Sequence, residues 1–206
     1  MNDAFNYIIA GITFAFAAAV QPGPLQAYII SQTLNRGFRK TLPAAFAPVI
    51  SDGPIILLVL FILSKMPGWL INVMQAAGGI FLLYLAHGAY KSWKNYNPSI
   101  SNEESGNQTL FKAVTVNLLN PNPYLGWSLV MGPLLIKGWQ ENPLNGILLL
   151  VSFYSTIIIG LVITIFLTSA ARKLGSNTNR ILVGISAIAL AAFGFFSLFA
   201  ALRPII

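Results

Sequence analysis

Few residues in this chain could carry chemistry, and they fall in three places. Asp52 lies within an apolar run, in Pro48-Val49-Ile50-Ser51-Asp52-Gly53-Pro54. A carboxylate there can hold an ammonium group or take up a proton. Its competing structural role is to cap backbone N–H groups, because the flanking prolines read as a broken helix. Gln21-Pro22-Gly23-Pro24 and Asn120-Pro121-Asn122-Pro123 interrupt two further apolar runs. Proline removes an N–H and clashes with the preceding turn, and glycine adds backbone freedom, so both runs should open there. Half-helix ends at such openings offer N–H groups to an anion and C=O groups to a cation. Gln21, Asn120 and Asn122 add uncharged donors and acceptors.

The elements that position these residues follow from composition. Of 206 residues, 56% are hydrophobic and only 8% charged. A soluble surface needs far more charge, so the expectation is an all-α integral membrane protein. Six apolar segments, about 6–32, 42–64, 70–93, 111–136, 144–170 and 180–202, each approach the roughly 20 residues that cross a bilayer. The first reads as a retained span, because Met1–Tyr7 carries Asp3 and no basic residue, unlike a signal peptide. The net charge of +7 is thinly spread and forms no nucleic-acid patch.

That charge sets an orientation instead. Arg36, Arg39, Lys40, Lys91, Lys94, Lys112, Arg172, Lys173 and Arg180 fall on one side, against Lys65, Lys137 and Arg203 on the other. The basic-rich loops belong in the cytoplasm, which puts both termini outside. Trp69, Trp93 and Trp139 stand near span ends, where interfacial tryptophans belong.

The polar stretch 95–110 divides the chain into repeat one (1–94, spans 1–3) and repeat two (111–206, spans 4–6). Three spans each make the halves inverted with respect to one another. Gln21–Pro24 then matches Asn120–Pro123, Arg36-Gly37-Phe38 matches Lys137-Gly138-Trp139, and Pro43 matches Pro143. Both breaks and Asp52 lie about ten residues from the cytoplasmic face, roughly 15 Å deep and near the midplane. Opened backbone at that depth must be buried in protein or line a wet cavity.

Other polar residues are secondary candidates: Gln26, Tyr28, Tyr124, Trp127, Ser128, Ser152, Tyr154, Ser155 and Thr156. Serine and threonine in membrane helices mostly bond backbone or neighbouring helices. His87 sits near a span end and reads as interfacial, and Gly78, Gly79 and Gly184 read as close-packing positions. There are no cysteines and one histidine, which leaves no thiolate site and a poor transition-metal site. No nucleotide-binding loop or zinc-protease motif is present. An enzyme is not expected, and no cofactor is.

Pro22-Gly23-Pro24 followed by Arg36-Gly37, Asp52 in the second span, and Asn117-Leu118-Leu119-Asn120-Pro121 in the fourth together resemble the LysE/RhtB family of amino acid exporters. The order and spacing match across nearly the whole chain. The resemblance implies export of an amino acid from a bacterial cell by proton exchange, with Pro22, Gly23, Pro24, Asp52, Asn120 and Pro121 at the motif positions. Family members often have Thr where this chain has Gln21, and Lys where it has Asn122, so no one member's substrate carries over.

The expectation is thus a secondary exporter of an amino acid or similar small amphoteric metabolite in the bacterial inner membrane. Gln21, Pro22, Gly23, Pro24, Asp52, Asn120, Pro121, Asn122 and Pro123 would bind substrate, and Asp52 would couple protons. Its partners would be the lipid bilayer, the amino acid and protons, with a homodimer compatible but not required. The competing readings are a divalent-metal exporter, which would need two copies of Asp52, a passive channel, and a membrane partner protein without a transport cycle.

Overall fold

The computed structural model describes residues 2–62, 68–95, 105–172 and 174–202. Expectations that rest on Lys65, Lys173, Arg203, residues 96–104 and the side chain of Trp69 lie outside the described parts. Every regular element among the described residues is helical.

The first apolar run divides where its prolines require. Helix α1 (Asn2–Val20) closes with Gln21 N–H on Ala17 O, and α2 (Pro24–Arg36) starts with Pro24 in its first turn. Proline fits there because its missing N–H would be unpaired anyway. The two axes meet at 61°. Gly37 then turns the chain with φ 83°, a conformation natural only to glycine. Helix α3 (Phe38–Thr41) and a 3-10 turn (Leu42–Phe46) lead into α4 (Ala47–Ile62), which carries Asp52.

Helix α4 runs unbroken through Asp52 with Pro54 inside it. The break expected around the acid is absent, and the irregular turn lies one step earlier, at Leu42–Phe46. Pro54 is exposed on the outer face, where a lost backbone bond disturbs no packing partner.

After α5 (Gly68–Lys94), α6 (Gly106–Leu118) opens with a capping box between Ser105 and Gln108. The second break follows. Helix α7 (Pro121–Gly126) passes through a π-helical turn at Trp127–Met131 into α8 (Gly132–Glu141). Pro133 just beyond the π turn has no N–H to offer, which favours such a slip in register. Pro143 opens α9 (Pro143–Arg172), and α10 (Ser176–Ala201) completes the fold. The expected match of Arg36-Gly37-Phe38 with Lys137-Gly138-Trp139 does not hold, because the first tripeptide ends a helix and the second lies within α8.

The most extensive helix packing is α5 on α10 and α1 on α9, followed by α8 on α9, α2 on α10 and α4 on α6. In the first pair Gly79 and Gly194 bring the two backbones together, since a Cβ on either would lie within 3.1 Å of the other's carbonyl oxygen. Gly78 packs on Leu119 and Gly184 on the Trp93 ring, as close-packing positions should. Among the described residues, Phe38–Val59, Pro143–Arg172 and Ser176–Ala201 are long and apolar enough to cross a membrane, and the bent α1–α2 pair makes a fourth if it is taken as one broken span.

Candidate functional site

A cavity of about 160 Å³ lies between the two breaks, with Asp52 in its wall. Gln21, Pro22, Gly23 and Pro24 line it from the first break, and Asn120, Asn122 and Pro123 from the second. Of the nine residues expected at a binding site, Pro121 alone does not face it; Pro121 opens α7 instead. Phe14, Trp127, Phe153, Ile157 and Leu161 form the apolar wall.

Both breaks are tied back by the helix that follows them. Gln26 Nε2 donates to Ala19 O across the first break. Tyr124 OH donates to Leu118 O at 3.0 Å across the second. Each bond satisfies a carbonyl at or near the end of the preceding helix. The helix starts differ, however. Asn120 Oδ1 accepts from Asn122 N–H at 3.1 Å and so caps α7, whereas no side chain caps α2 at Gly23. The symmetrical cradle suggested by the two motifs is therefore asymmetric: only α2 presents an uncapped N-terminus at the cavity.

Asp52 is 3% exposed. Trp127 Nε1 donates to its Oδ2 at 3.2 Å, and Tyr154 OH to the same oxygen at 3.5 Å. Asn117 Nδ2 donates to Oδ1 at 3.3 Å and to Ser51 Oγ at 2.7 Å. Ser51 Oγ–H is itself directed at the carbonyls of Ala47 and Pro48. All these partners are neutral, and among the described residues no cation pairs with the acid. The proposed capping role fails on this geometry, since side chains and not backbone N–H groups solvate the carboxyl. An acid so placed keeps acceptor capacity on the cavity side for a cation or a proton.

Trp127 and Tyr154 are secondary candidates that the fold promotes to direct contact with Asp52. Asn117 was visible only as part of the Asn117–Pro121 motif. Its signal is its position three residues before Asn120, one turn earlier on the helix that leads to the break. Ser152 bonds Leu149 O within its own helix, as the membrane-helix default expects. Tyr28 is fully buried and donates to Thr109 O, away from the cavity. His87 is exposed on α5. Among the described residues no group of three or more His, Cys, Asp or Glu could hold a metal ion.

Several apolar helices, two interrupted stretches and a buried acid at a largely apolar cavity between them define a polytopic helical membrane protein of the translocator class. Residues 16–200 match the family model for the LysE type translocator, and the chain belongs to that family. It is 28% identical over 138 residues to the arginine exporter protein ArgO of Shigella flexneri and of Escherichia coli strain K12. The same identity and length hold for ArgO of Klebsiella pneumoniae strain 342. Each match covers 63% of this chain and 64% of the relative. The chain thus aligns with less than two thirds of these relatives' length. No solved structure matches it.

Proposed function

We propose that the protein is a secondary exporter of an amino acid or similar small amphoteric metabolite, working across the bacterial inner membrane by proton exchange. One observation carries this reading: a single buried carboxylate with only neutral partners faces a cavity between two helix breaks. Deprotonated Asp52 would hold the solute's ammonium group. Gln21, Asn122 and the uncapped N-terminus of α2 would receive its carboxylate. A proton arriving at Asp52 from the far side would displace the solute, and its release to the cytoplasm would reset the site. The ArgO relatives, named as arginine exporters, support the solute class.

The architecture we propose is two inverted three-span repeats, 1–94 and 111–206, joined by 95–110, with both termini outside. Part of the packing supports it, although the α8–α9 and α2–α10 contacts have no comparable counterpart under the exchange. Exchanging spans 1, 2 and 3 with spans 4, 5 and 6 turns the α1–α9 pair into the α6–α4 pair and returns α5–α10 to itself. Helix α5, with 27 residues, is about 40 Å long and would be the third span. The broken stretch from α6 to α8 would be the fourth. The test is transport in proteoliposomes with an imposed pH gradient, screened over the common amino acids. Asp52→Asn should abolish gradient-driven movement while the protein still inserts and purifies as a folded species. Normal proton-coupled transport by that variant would overturn the mechanism.

A further inference from the structure

A second cavity, also about 160 Å³, lies at the other end of α1, lined by Asn6, Tyr7, Leu134, Lys137 and Glu141. The first span and the stretch from α7 to α8 run antiparallel between the two cavities. At the central end Phe14 packs on Gly126, and at the far end the Tyr7 ring packs on Gly138. A Cβ at Gly138 would stand 2.9 Å from Tyr7 Cε1, so the ring is seated directly on backbone. Seven residues of α1 separate Phe14 from Tyr7, roughly 10 Å along the helix. The second cavity thus lies in line with the first, with the buried Tyr7 standing between α1 and α8 at its rim.

The chemistry of this cavity differs from that at the centre. Glu141 Oε2 accepts from Tyr7 OH at 3.0 Å, while Glu141 Oε1 lies 3.8 Å from Lys137 Nζ. The side chains of Lys137 and Glu141 are 69% and 43% exposed. An exposed pair one helical turn apart is weakly held and readily exchanged. The central cavity supplies one charge, Asp52, whereas this one supplies both signs about one amino-acid backbone apart. A solute carrying an ammonium and a carboxylate can replace the internal pair by two external ones, with Glu141 taking the ammonium and Lys137 the carboxylate.

We propose that the Tyr7–Lys137–Glu141 cavity is a second binding site for the amphoteric solute, a release vestibule in series with Asp52. This rests on the export reading above. Tyr7, bonded to Glu141, is the element that must move for the solute to pass from one cavity to the other.

Because the chain has no cysteine, one introduced thiol reports on one cavity. Leu134→Cys is placed in the vestibule and Ala18→Cys in the central cavity, each in purified detergent-solubilised protein. The rate of maleimide modification is measured with each common amino acid in turn. An amino acid that binds should slow modification about tenfold at ten times its dissociation constant. Slowing at Leu134→Cys is expected to disappear with Lys137→Gln/Glu141→Gln and to survive Asp52→Asn. No slowing there by any amino acid overturns the vestibule, and so does slowing unaffected by the double replacement or lost with Asp52→Asn. The central reading is judged separately, by whether slowing at Ala18→Cys is lost with Asp52→Asn.

Discussion

The indole Nε1 of Trp127 donates to Asp52 Oδ2 across 3.2 Å, joining the π turn of the second broken stretch to α4. Asn117 from α6 and Tyr154 from α9 reach the same carboxyl group. The acid contributed by the first half of the chain is thus held by neutral donors, all three of them from the second half. A movement that drew α4 away from α6, the π turn and α9 would remove donors from Asp52. The solvation of the acid is thereby coupled to the conformation of the cavity.

Replacing Trp127 with Phe tests that coupling. The ring that packs edge-on against Phe153, centroids 5.6 Å apart, is largely retained, and the N–H donor is lost. A hydrogen bond to a charged group contributes about 1.5–3 kcal/mol, so both thermal stability in detergent and transport should fall. In a double-mutant cycle with Asp52→Asn the two changes should be non-additive by about 0.5–3 kcal/mol. Additive losses would mean that the bond has no energetic role.

Asn117→Leu removes the one amide that serves both Ser51 and Asp52. Ser51 keeps its bonds to the α4 backbone, so the helix should persist. An acceptor on Asp52 loses its donor in a buried place, at a penalty of about 1–3 kcal/mol. The expected result is a folded protein with transport reduced about tenfold or more, each ~1.4 kcal/mol being one such factor. Unchanged initial rates in proteoliposomes would remove Asn117 from the site.

Much of this arrangement was legible in the sequence, and the division between what was and was not is physical. Proline acts on its own turn, so the breaks after Val20 and Leu118 follow from Pro22, Pro24, Pro121 and Pro123 alone. The donors to Asp52 come from 65, 75 and 102 residues away, and only the packed fold brings them together. Local rules also misled twice. Pro54 did not break α4, because a helix held on its other face tolerates one missing bond. Lys137-Gly138-Trp139 looks like Arg36-Gly37-Phe38, yet Gly37 takes a positive φ whereas Gly138 is helical and seats the Tyr7 ring. Tripeptide likeness does not encode backbone conformation.

The crossing of α5 and α10 should be sensitive to a single methyl group. Gly79→Ala puts a Cβ 2.8 Å from Gly194 O, and Gly194→Ala puts one 2.9 Å from Leu83 side-chain atoms. Overpacking of this kind costs typically 1–3 kcal/mol. The first change meets backbone at 2.8 Å, whereas the second meets a movable leucine first and backbone only at 3.1 Å, so Gly79→Ala should lower the melting temperature more. Equal or smaller loss for Gly79→Ala, measured by thermal unfolding in detergent, would contradict the packing.

Gly37 offers a test in which two penalties can be separated. Its φ of 83° with ψ of 176° costs a non-glycine residue about 1–3 kcal/mol. A Cβ there would also stand 2.5 Å from Arg172 Nη1. Gly37→Ala should therefore destabilise the protein, and adding Arg172→Ala should recover only the steric part. Full recovery in the double variant would show that the backbone itself is unstrained.

The asymmetry between the two breaks gives the prediction that best separates binding from folding. Gly23 is the uncapped N-cap of α2, in an extended conformation open to any residue, and a Cβ there meets nothing closer than 3.9 Å. Gly23→Asp should cap the helix and stabilise it by about a few tenths of a kcal/mol relative to glycine. It would also place a fixed negative charge where the solute's carboxylate is proposed to sit. Gly23→Ser should cap with no charge. The expected order is therefore raised melting temperatures for both variants, with transport lost in the aspartate variant and largely kept in the serine variant. Were Gly23→Asp to transport normally, the N-terminus of α2 would not be the carboxylate site, whatever the stability of the helix.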